Sequence, residues 1–250
     1  MKVLFNADDF GFSKGVNLGI LEAFQQGVIS STSLMVNMPG FTHAIELMKQ
    51  YPDLLKVGIH LVTSVEHSIC KDLKTLTDKN NHFYHNQDII KNCHIEELKK
   101  EYEAQLLRFL DTGFRPTHID FHWCFYPVQI EAAMYLSQKY NLLIRAENKD
   151  MEQLFKNNHI RHNMNMIQDF YNLDIAQITP KKLISLLQYA IDNHWDSCTF
   201  ALHPAYVDQT LLDLSSYNIQ RAKEFASLTD STVIQFIKDN NIETISFLDV

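Results

Sequence analysis

Apolar strand patterns and amphipathic helix patterns alternate along this 250-residue chain. We count about seven strand patterns, most of them followed by a helix pattern. This alternation is typical of a parallel sheet covered by helices, because each crossover between parallel strands needs room for a helix. No repeat, low-complexity segment or compositional break interrupts it. The sequence therefore predicts one α/β domain over residues 1–250, with a barrel-like parallel sheet.

Periodicity and capping residues set the boundaries of the elements. We predict strands at residues 2–7, 28–36, 55–62, 117–121, 142–145, 199–202 and 242–247. We predict helices at residues 14–26, 41–50, 95–112, 128–139, 181–192, 217–227 and 230–239. Ser13 is a candidate N-cap of the first helix, and Gly27 is its stop signal. Residues 64–94 and 147–178 read as irregular loop insertions, and a loop as long as the first is typical of a lid or a substrate-binding segment.

Charge and composition narrow the choice of partners and compartment. The formal net charge is −8 and no basic block is present, which argues against nucleic acid as a partner. No signal peptide precedes the first strand, and no apolar run is long enough to span a bilayer, so we expect a cytoplasmic protein without a membrane partner. The four cysteines, Cys70, Cys93, Cys124 and Cys198, form no CxxC pair. We expect their thiols to be reduced, because that is the usual state in the cytoplasm.

Two adjacent carboxylates, Asp8 and Asp9, follow the apolar run of the first strand. Neighbouring side chains on a regular strand point to opposite faces, so both carboxylates can reach one site only if the chain leaves the strand there. Two carboxylates held together repel each other, and removing each of them from water costs free energy. A bound cation is the simplest remedy. The pair therefore predicts a metal site.

Polar, titratable residues also occur at or near the ends of the later strands. They are His60, His118, Asp120, His122, Arg145 and His203. The residues at 118, 120 and 122 alternate along one strand and so share one face. Strands of a parallel sheet are usually apolar on both faces, so packing alone does not account for this set. In barrels of this kind the chemistry lies at the carboxyl ends of the strands.

Each of these residues also has a purely structural interpretation. The carboxylates of Asp8 and Asp9 could form an Asx turn or cap a helix. His60 could be a hydrogen-bonded core histidine, and the polar face at 118–122 could face solvent. His203 could belong to a turn before proline, and Arg145 could be a structural ion-pair partner. We prefer the metal-site hypothesis to these structural interpretations, because many strands supply a titratable side chain to the same rim of the predicted barrel.

The chemistry of the set is that of an aspartate, two histidines and a spare carboxylate. Three protein ligands plus water form a typical catalytic metal site. Mixed nitrogen and oxygen ligands suit zinc or another first-row metal, while completion by waters would also allow magnesium. A spare carboxylate can accept a proton from water, and a histidine across the site can protonate a leaving group. The sequence thus predicts metal-assisted hydrolysis of an amide or an ester.

Six segments resemble one known family in their sequence and in their order. They are residues 6–11 (NADDFG), 15–20 (GVNLGI), 31–39 (STSLMVNMP), 58–61 (GIHL), 116–122 (PTHIDFH) and 202–205 (LHPA). Together they resemble the YdjC-like carbohydrate deacetylases, whose best-understood branch is the chito-oligosaccharide deacetylases. The resemblance covers nearly the whole chain. It implies a distorted (β/α) barrel similar to polysaccharide deacetylases, and the hydrolysis of an N-acetylated saccharide to release acetate.

The resemblance also implies roles for individual residues. Asp9, His60 and His122 match the family's metal ligands, which hold one divalent ion per chain, either Mg²⁺ or Zn²⁺. Asp8 matches the general base. His203 matches the general acid, or the group that stabilises the tetrahedral intermediate. Arg145 matches the basic residue after the fifth strand and is expected to orient Asp8. A homodimer is compatible with the family, although the sequence carries no interface signature.

The chain departs from the family pattern just after His122. The family usually continues with two further histidines before proline, whereas Cys124 and Tyr126 occupy those positions here. We expect the change to affect the surroundings of the metal or the sugar pocket, not metal binding itself. Trp123 could stack on a sugar or could serve packing. The segment 64–94 also lacks the clean Asp-x-x-Gly turn that would support a substrate assignment.

Two other functions stay open at this stage. A metallo-phosphoesterase could use the same ligands to activate water toward phosphate, although such enzymes more often use two metals and more carboxylates. A saccharide-binding protein without catalytic activity could retain the family site, and the residues that replace the usual histidines allow this. The number of metal ions bound per chain separates these functions from a one-metal deacetylase.

Overall fold

The computed structural model describes residues 1–123 and 126–250, and Cys124 therefore lies outside the described residues. Its strands are β1 (Lys2–Phe10), β2 (Ser31–Leu34), β3 (Val57–Val62), β4 (His118–His122), β5 (Leu143–Ile144), β6 (Met166–Ile167), β7 (Ser197–Leu202) and β8 (Glu243–Ile245). Seven of them form a parallel path in the order β5-β4-β3-β2-β1-β7-β6. The path curls into a half-barrel, as the predicted fold class requires.

The α-helices in the described residues are α1 (Lys14–Gln26), α2 (Phe41–Gln50), α3 (Ile95–Leu110), α4 (Pro127–Tyr140), α5 (Lys149–Asn157), α6 (Pro180–Asp192), α7 (Gln209–Leu214), α8 (Ile219–Leu228) and α9 (Ser231–Asp239). Short 3-10 helices lie at Gln87–Asn92 and Phe247–Asp249. Ser13 caps α1 by accepting a hydrogen bond from the backbone of Val16, and Gly27 follows the last turn, as predicted. Among the described residues, no helix has both the length and the apolar character that crossing a membrane requires.

Strand β1 lies in the interior of the sheet and has neighbours along both edges. Its residues Lys2–Ala7 pair with β7 on one edge, and residues Asn6–Phe10 pair with β2 on the other. Residues Lys2–Leu4 of β1 also pair with β8. All of β1 beyond Lys2 is buried. A strand in this position delivers its carboxyl end to the middle of the half-barrel.

A β-bulge separates the two adjacent carboxylates in β1. Ala7 pairs with Thr32 and Phe10 with Leu34, so three steps along β1 match two along β2. Asp9 takes the extra position with φ of 69°, a left-handed conformation that aspartate tolerates better than most residues. The strand therefore does not end before the pair, as its prediction at residues 2–7 assumed. The bulge turns both carboxylates into one cleft instead.

The structure corrects the sequence predictions in two further places. Residues 147–178 are not irregular throughout, because they contain α5 and β6. Helix α7 lies in a region where no element was predicted. Strand β6 has only two residues, and α5 buries only two apolar side chains, Met151 and Phe155. Periodicity over so few positions gives no clear signal.

Candidate metal centre and active site

A cleft of about 740 Å³ opens at the carboxyl ends of the central strands. Strands β1, β3, β4 and β7 each end at its wall, because parallel strands bring their carboxyl ends to one edge. The cleft brings together the six residues that the sequence singled out for metal binding or catalysis: Asp8, Asp9, His60, His122, Arg145 and His203. Most of them are buried, so each needs a partner for its charge or hydrogen bonds.

Three of these residues form a cluster that fits a metal ion. One carboxylate oxygen of Asp9 lies 3.2 Å from Nε2 of His60 and 3.2 Å from Nδ1 of His122. Two ligands that each lie roughly 2.0–2.2 Å from one ion are about 3 Å apart, so the spacing suits a shared cation. One oxygen and two imidazole nitrogens are a donor set for zinc or another first-row metal. Asp9, His60 and His122 therefore fit a metal site.

His60 is oriented by a carboxylate behind it. Its Nδ1 lies 2.6 Å from an Asp120 oxygen, and both side chains are buried. A proton on Nδ1 donated to Asp120 leaves the Nε2 lone pair directed at Asp9, the arrangement common behind metal-bound histidines. Burial lowers the pKa of His60, but Asp120 and Asp9 more than offset this and raise it to about 10. The cluster therefore attracts positive charge, and a cation bound at Nε2 would compete with the second proton of His60.

The second oxygen of Asp9 is held by Arg221 of α8 at 2.7 Å. Burial opposes ionisation of Asp9, but Arg221 and His122 together hold its pKa well below its ordinary value. Arg221 is itself buried, and its Nε donates to the carbonyl of Tyr217 at 2.7 Å. Arg221 carries no sequence signal of its own, because an arginine on an amphipathic helix looks like any surface residue.

Asp8 faces a different cation, the guanidinium of Arg145. The pair is bidentate, with distances of 2.6 and 2.9 Å. Asn6 also donates to Asp8 at 2.7 Å. The Nη1 atom of Arg145 lies 2.8 Å from Asp120 as well, so one guanidinium bridges two buried carboxylates. A second cluster also has the spacing of metal ligands, and it consists of Asp8, His60 and Asp120. The guanidinium of Arg145 already lies between its two carboxylates.

His203 lies at the end of β7, where Glu224 holds its backbone. The Glu224 carboxylate accepts a hydrogen bond from the His203 backbone N–H at 2.6 Å and one from the Tyr217 hydroxyl at 2.5 Å. Burial lowers the pKa of His203 to about 4, and burial raises that of Glu224 to about 7. The imidazole of His203 packs on Tyr171, with ring centroids 4.6 Å apart. Glu224, Tyr171 and Tyr217 carried no sequence signal, because their roles depend on helix α8 and on loops that pack over the cleft.

Comparison with known proteins defines the class first by fold. The half-barrel is similar to that of a family 4 acetyl xylan esterase from Clostridium thermocellum, solved with a cobalt ion. The TM-score is 0.51 at 10% identity, and the match covers 100% of this chain and 89% of the esterase. A crystal structure of an Enterococcus faecalis protein, provisionally assigned to cellobiose-phosphate cleavage, matches with a TM-score of 0.91 at 27% identity and covers 99% of this chain and 98% of that protein.

Sequence relatives define the class more narrowly. The family described as YdjC-like protein matches residues 2–239, and this chain belongs to it. A carbohydrate deacetylase of Clostridium beijerinckii is 39% identical over 253 residues and matches over 100% of both chains. A carbohydrate deacetylase of Brevibacillus brevis is 36% identical, with 99% of this chain and 98% of the relative covered. The family resemblance inferred from the six motifs is thereby confirmed.

Proposed function

We propose that this protein is a metal-dependent deacetylase that removes acetyl groups from an N-acetylated di- or oligosaccharide and releases acetate. The cluster of Asp9, His60 and His122 beside a separate carboxylate, Asp8, is the observation that carries the proposal. Full-length relatives named carbohydrate deacetylase support it. The family match over residues 2–239 supports a single catalytic domain.

Asp9, His60 and His122 would hold one divalent ion, Zn²⁺ or Mg²⁺. When bound, the ion would polarise the acetyl carbonyl and lower the pKa of water in the site. The protein prepares this position by holding the remaining polar atom of two of the three ligands. Arg221 occupies the second oxygen of Asp9, and Asp120 occupies the second nitrogen of His60. Asp9 and His60 therefore each present one defined atom to the ion.

Asp8 is proposed as the general base that accepts a proton from the attacking water. Its carboxylate is fixed by the bidentate contact with Arg145 and by the amide of Asn6. Fixing both oxygens before the reaction lowers the entropic cost of aligning the base with water. Arg145 is thus proposed to position Asp8 and does not itself react. The adjacent carboxylates then have separate tasks, which the bulge at Asp9 makes compatible.

His203 is proposed as the general acid, and it follows β7, the strand that pairs with β1 up to Ala7 and Leu202. Departure of the sugar amine breaks the C–N bond, and the nitrogen needs the proton that Asp8 took from water. With a pKa of about 4, His203 enters the reaction neutral, so it would deliver this proton only after receiving it from Asp8 through water in the cleft. Before that step the neutral imidazole can donate an N–H to the oxygen of the tetrahedral intermediate.

A matched pair of variants tests this proposal. Acetate release from N,N′-diacetylchitobiose should require a divalent ion and stop when a chelator removes it. Asp8→Asn should lower kcat about 10²–10⁴-fold while the protein still binds one ion per chain. Asp9→Asn should instead lose the ion, and activity with it. Undiminished activity of Asp8→Asn would overturn the proposed base, and two ions per chain would favour a phosphoesterase.

A further inference from the structure

Trp123 lies at the rim of the cleft, directly after the proposed ligand His122. Its indole is nearly parallel to the His122 imidazole, with centroids 5.4 Å apart and an interplanar angle of 10°. The side chain is 45% exposed and lines the cleft. A packing role, the alternative that the sequence left open, would bury this residue instead. The exposed ring thus borders the space next to the cluster that fits a metal ion.

The backbone at Trp123 is held in a conformation that bulky residues rarely adopt. Its φ is 65°, in the left-handed region, directly after strand β4 ends. The side-chain amide of Gln129 donates to the Trp123 carbonyl at 2.9 Å and helps to keep this geometry. Strain of this kind persists where the surrounding structure imposes it, and it often occurs at functional sites. The turn directs the indole along the cleft wall.

Tyr171 continues the aromatic surface across the cleft. Trp123 and Tyr171 both line the cleft, and Trp123 lies close enough to the Tyr171 hydroxyl to oppose the rise in its pKa that burial causes. The ring of Tyr171 packs on His203 at 4.6 Å and on Tyr217 at 4.9 Å between centroids. Aromatic groups therefore run continuously from the proposed metal ligand at one end to the proposed acid at the other. Much of the Trp123 ring stays exposed within this surface.

We propose that Trp123 is the stacking platform for the sugar unit next to the one whose acetamide reacts. This inference rests on the proposed function and adds the substrate length to it. The reacting acetamide must reach Asp9 and His60, which are each only 1% exposed, so its sugar enters the bottom of the cleft. A neighbouring sugar then lies at the rim, beside Trp123. The C–H edges of a pyranose carry partial positive charge and bind the negative face of an aromatic ring.

Fluorescence tests the platform without any reaction. The chain has two tryptophans, and Trp195 packs edge-on against Tyr189 at 5.6 Å. A Trp195→Phe variant therefore reports Trp123 alone, and it should keep full activity because Trp195 does not line the cleft. Chitobiose, which has no acetyl group to lose, should change the emission of this metal-loaded variant in a saturable manner. Glucosamine should do so only weakly, and the single variant Trp123→Phe, which keeps Trp195, should show no change in emission with chitobiose.

Kinetics test the same residue through substrate length. Trp123→Asn removes the ring and keeps a side chain that tolerates positive φ, so it adds no backbone strain. We expect KM for diacetylchitobiose to rise about tenfold with kcat nearly unchanged, and Trp123→Phe to restore most of the loss. Kinetics with N-acetylglucosamine should not change. Equal effects on both substrates, or no effect on either, would overturn the inference.

The two proposals fail in different ways. If the wild-type protein releases no acetate, the proposed function is wrong. The chitobiose titration would still decide whether Trp123 binds a sugar. If the enzyme is active but chitobiose leaves the emission of Trp123 unchanged, Trp123 is not the stacking platform and the proposed deacetylase function is unaffected.

Discussion

Arg221 holds one carboxylate oxygen of Asp9 at 2.7 Å, while the other oxygen faces His60 and His122 at 3.2 Å each. The guanidinium is fixed in turn, because it lies over the rings of Phe12 and Tyr217 at 5.6 and 5.7 Å. Asp9 is only 1% exposed, so its charge needs a buried counter-charge whether or not an ion is present. The arginine supplies that charge permanently and leaves one oxygen for a metal.

Replacing Arg221 should destabilise the metal-free protein far more than the metal-loaded protein. Arg221→Gln leaves the Asp9 carboxylate buried without its main counter-charge, which costs about 3–5 kcal/mol of unfolding free energy. A bound divalent ion supplies positive charge to the same carboxylate, so the deficit should shrink with saturating Zn²⁺. The thermodynamic cycle then requires that the variant bind Zn²⁺ more tightly than the wild type, because repulsion between guanidinium and ion is gone.

Urea unfolding with a chelator and with Zn²⁺ measures both deficits, and calorimetry measures the affinity. Lys223→Gln provides the control, because Lys223 lies exposed on the same helix. It removes an equal charge and should change neither quantity. An Arg221→Gln deficit that is the same with and without the ion would contradict the shared counter-charge.

Much of the fold follows from local sequence signals. Helices α1 and α2 begin and end where the sequence predicted, because Ser13 and Gly27 mark the first and Pro52 closes the second. The sequence also indicated which strands carry polar groups at their carboxyl ends. Parallel topology then placed these groups in one cleft without further information. In this way the sequence indicated six residues that line the cleft, each at or near the carboxyl end of a strand.

The partners of those residues could not be predicted from local signals. Arg221 and Asp9 are separated by 212 positions, and nothing near Arg221 marks it as buried. Glu224 lies on the same helix and approaches His203 only because α8 packs over the end of β7. The bulge at Asp9 depends on how β1 and β2 align. These features arise from packing between distant elements, which one sequence does not specify.

Gly58 should be indispensable to the packing behind the metal cluster. A Cβ at this position would lie 2.2 Å from the His118 ring, which is fully buried between β3 and Phe247. The ring cannot move freely, because its two nitrogens face Thr117 and Asp120 at 2.9 and 3.4 Å. We expect Gly58→Ala to lower the free energy of unfolding by about 3 kcal/mol or more through overpacking. Denaturant unfolding measures this loss.

Gly113 provides the matched control for the loss of a glycine. Its φ is 86°, and a Cβ there would meet no atom within 4 Å. Gly113→Ala therefore adds only backbone strain, on the order of 1 kcal/mol. If the two variants lost equal stability, the contact between Gly58 and His118 would not be the cause of the larger expected effect.

The pH dependence of stability should carry the signature of Glu224. Burial raises its pKa in the folded protein from an ordinary value of 4.5 to about 7, against the opposing hydrogen bonds from Tyr217 and the His203 backbone and the charge of Arg221. Between these two values the folded state retains a proton that the unfolded chain releases. The stability that Glu224 contributes is therefore full below pH 4.5 and is lost as the pH rises through about 7.

Glu224→Gln should remove this loss, because glutamine resembles the protonated acid and cannot ionise. Relative to the wild type, the variant should gain about 1–3 kcal/mol of unfolding free energy as the pH rises from roughly 5 to 8. Urea unfolding in the presence of a chelator measures the difference and keeps metal binding out of it. Glu243, which is exposed, provides the control: Glu243→Gln should follow the pH dependence of the wild type. A difference between Glu224→Gln and wild type that stays constant, or that falls with rising pH, would show that Glu224 is ionised in the folded protein throughout this range.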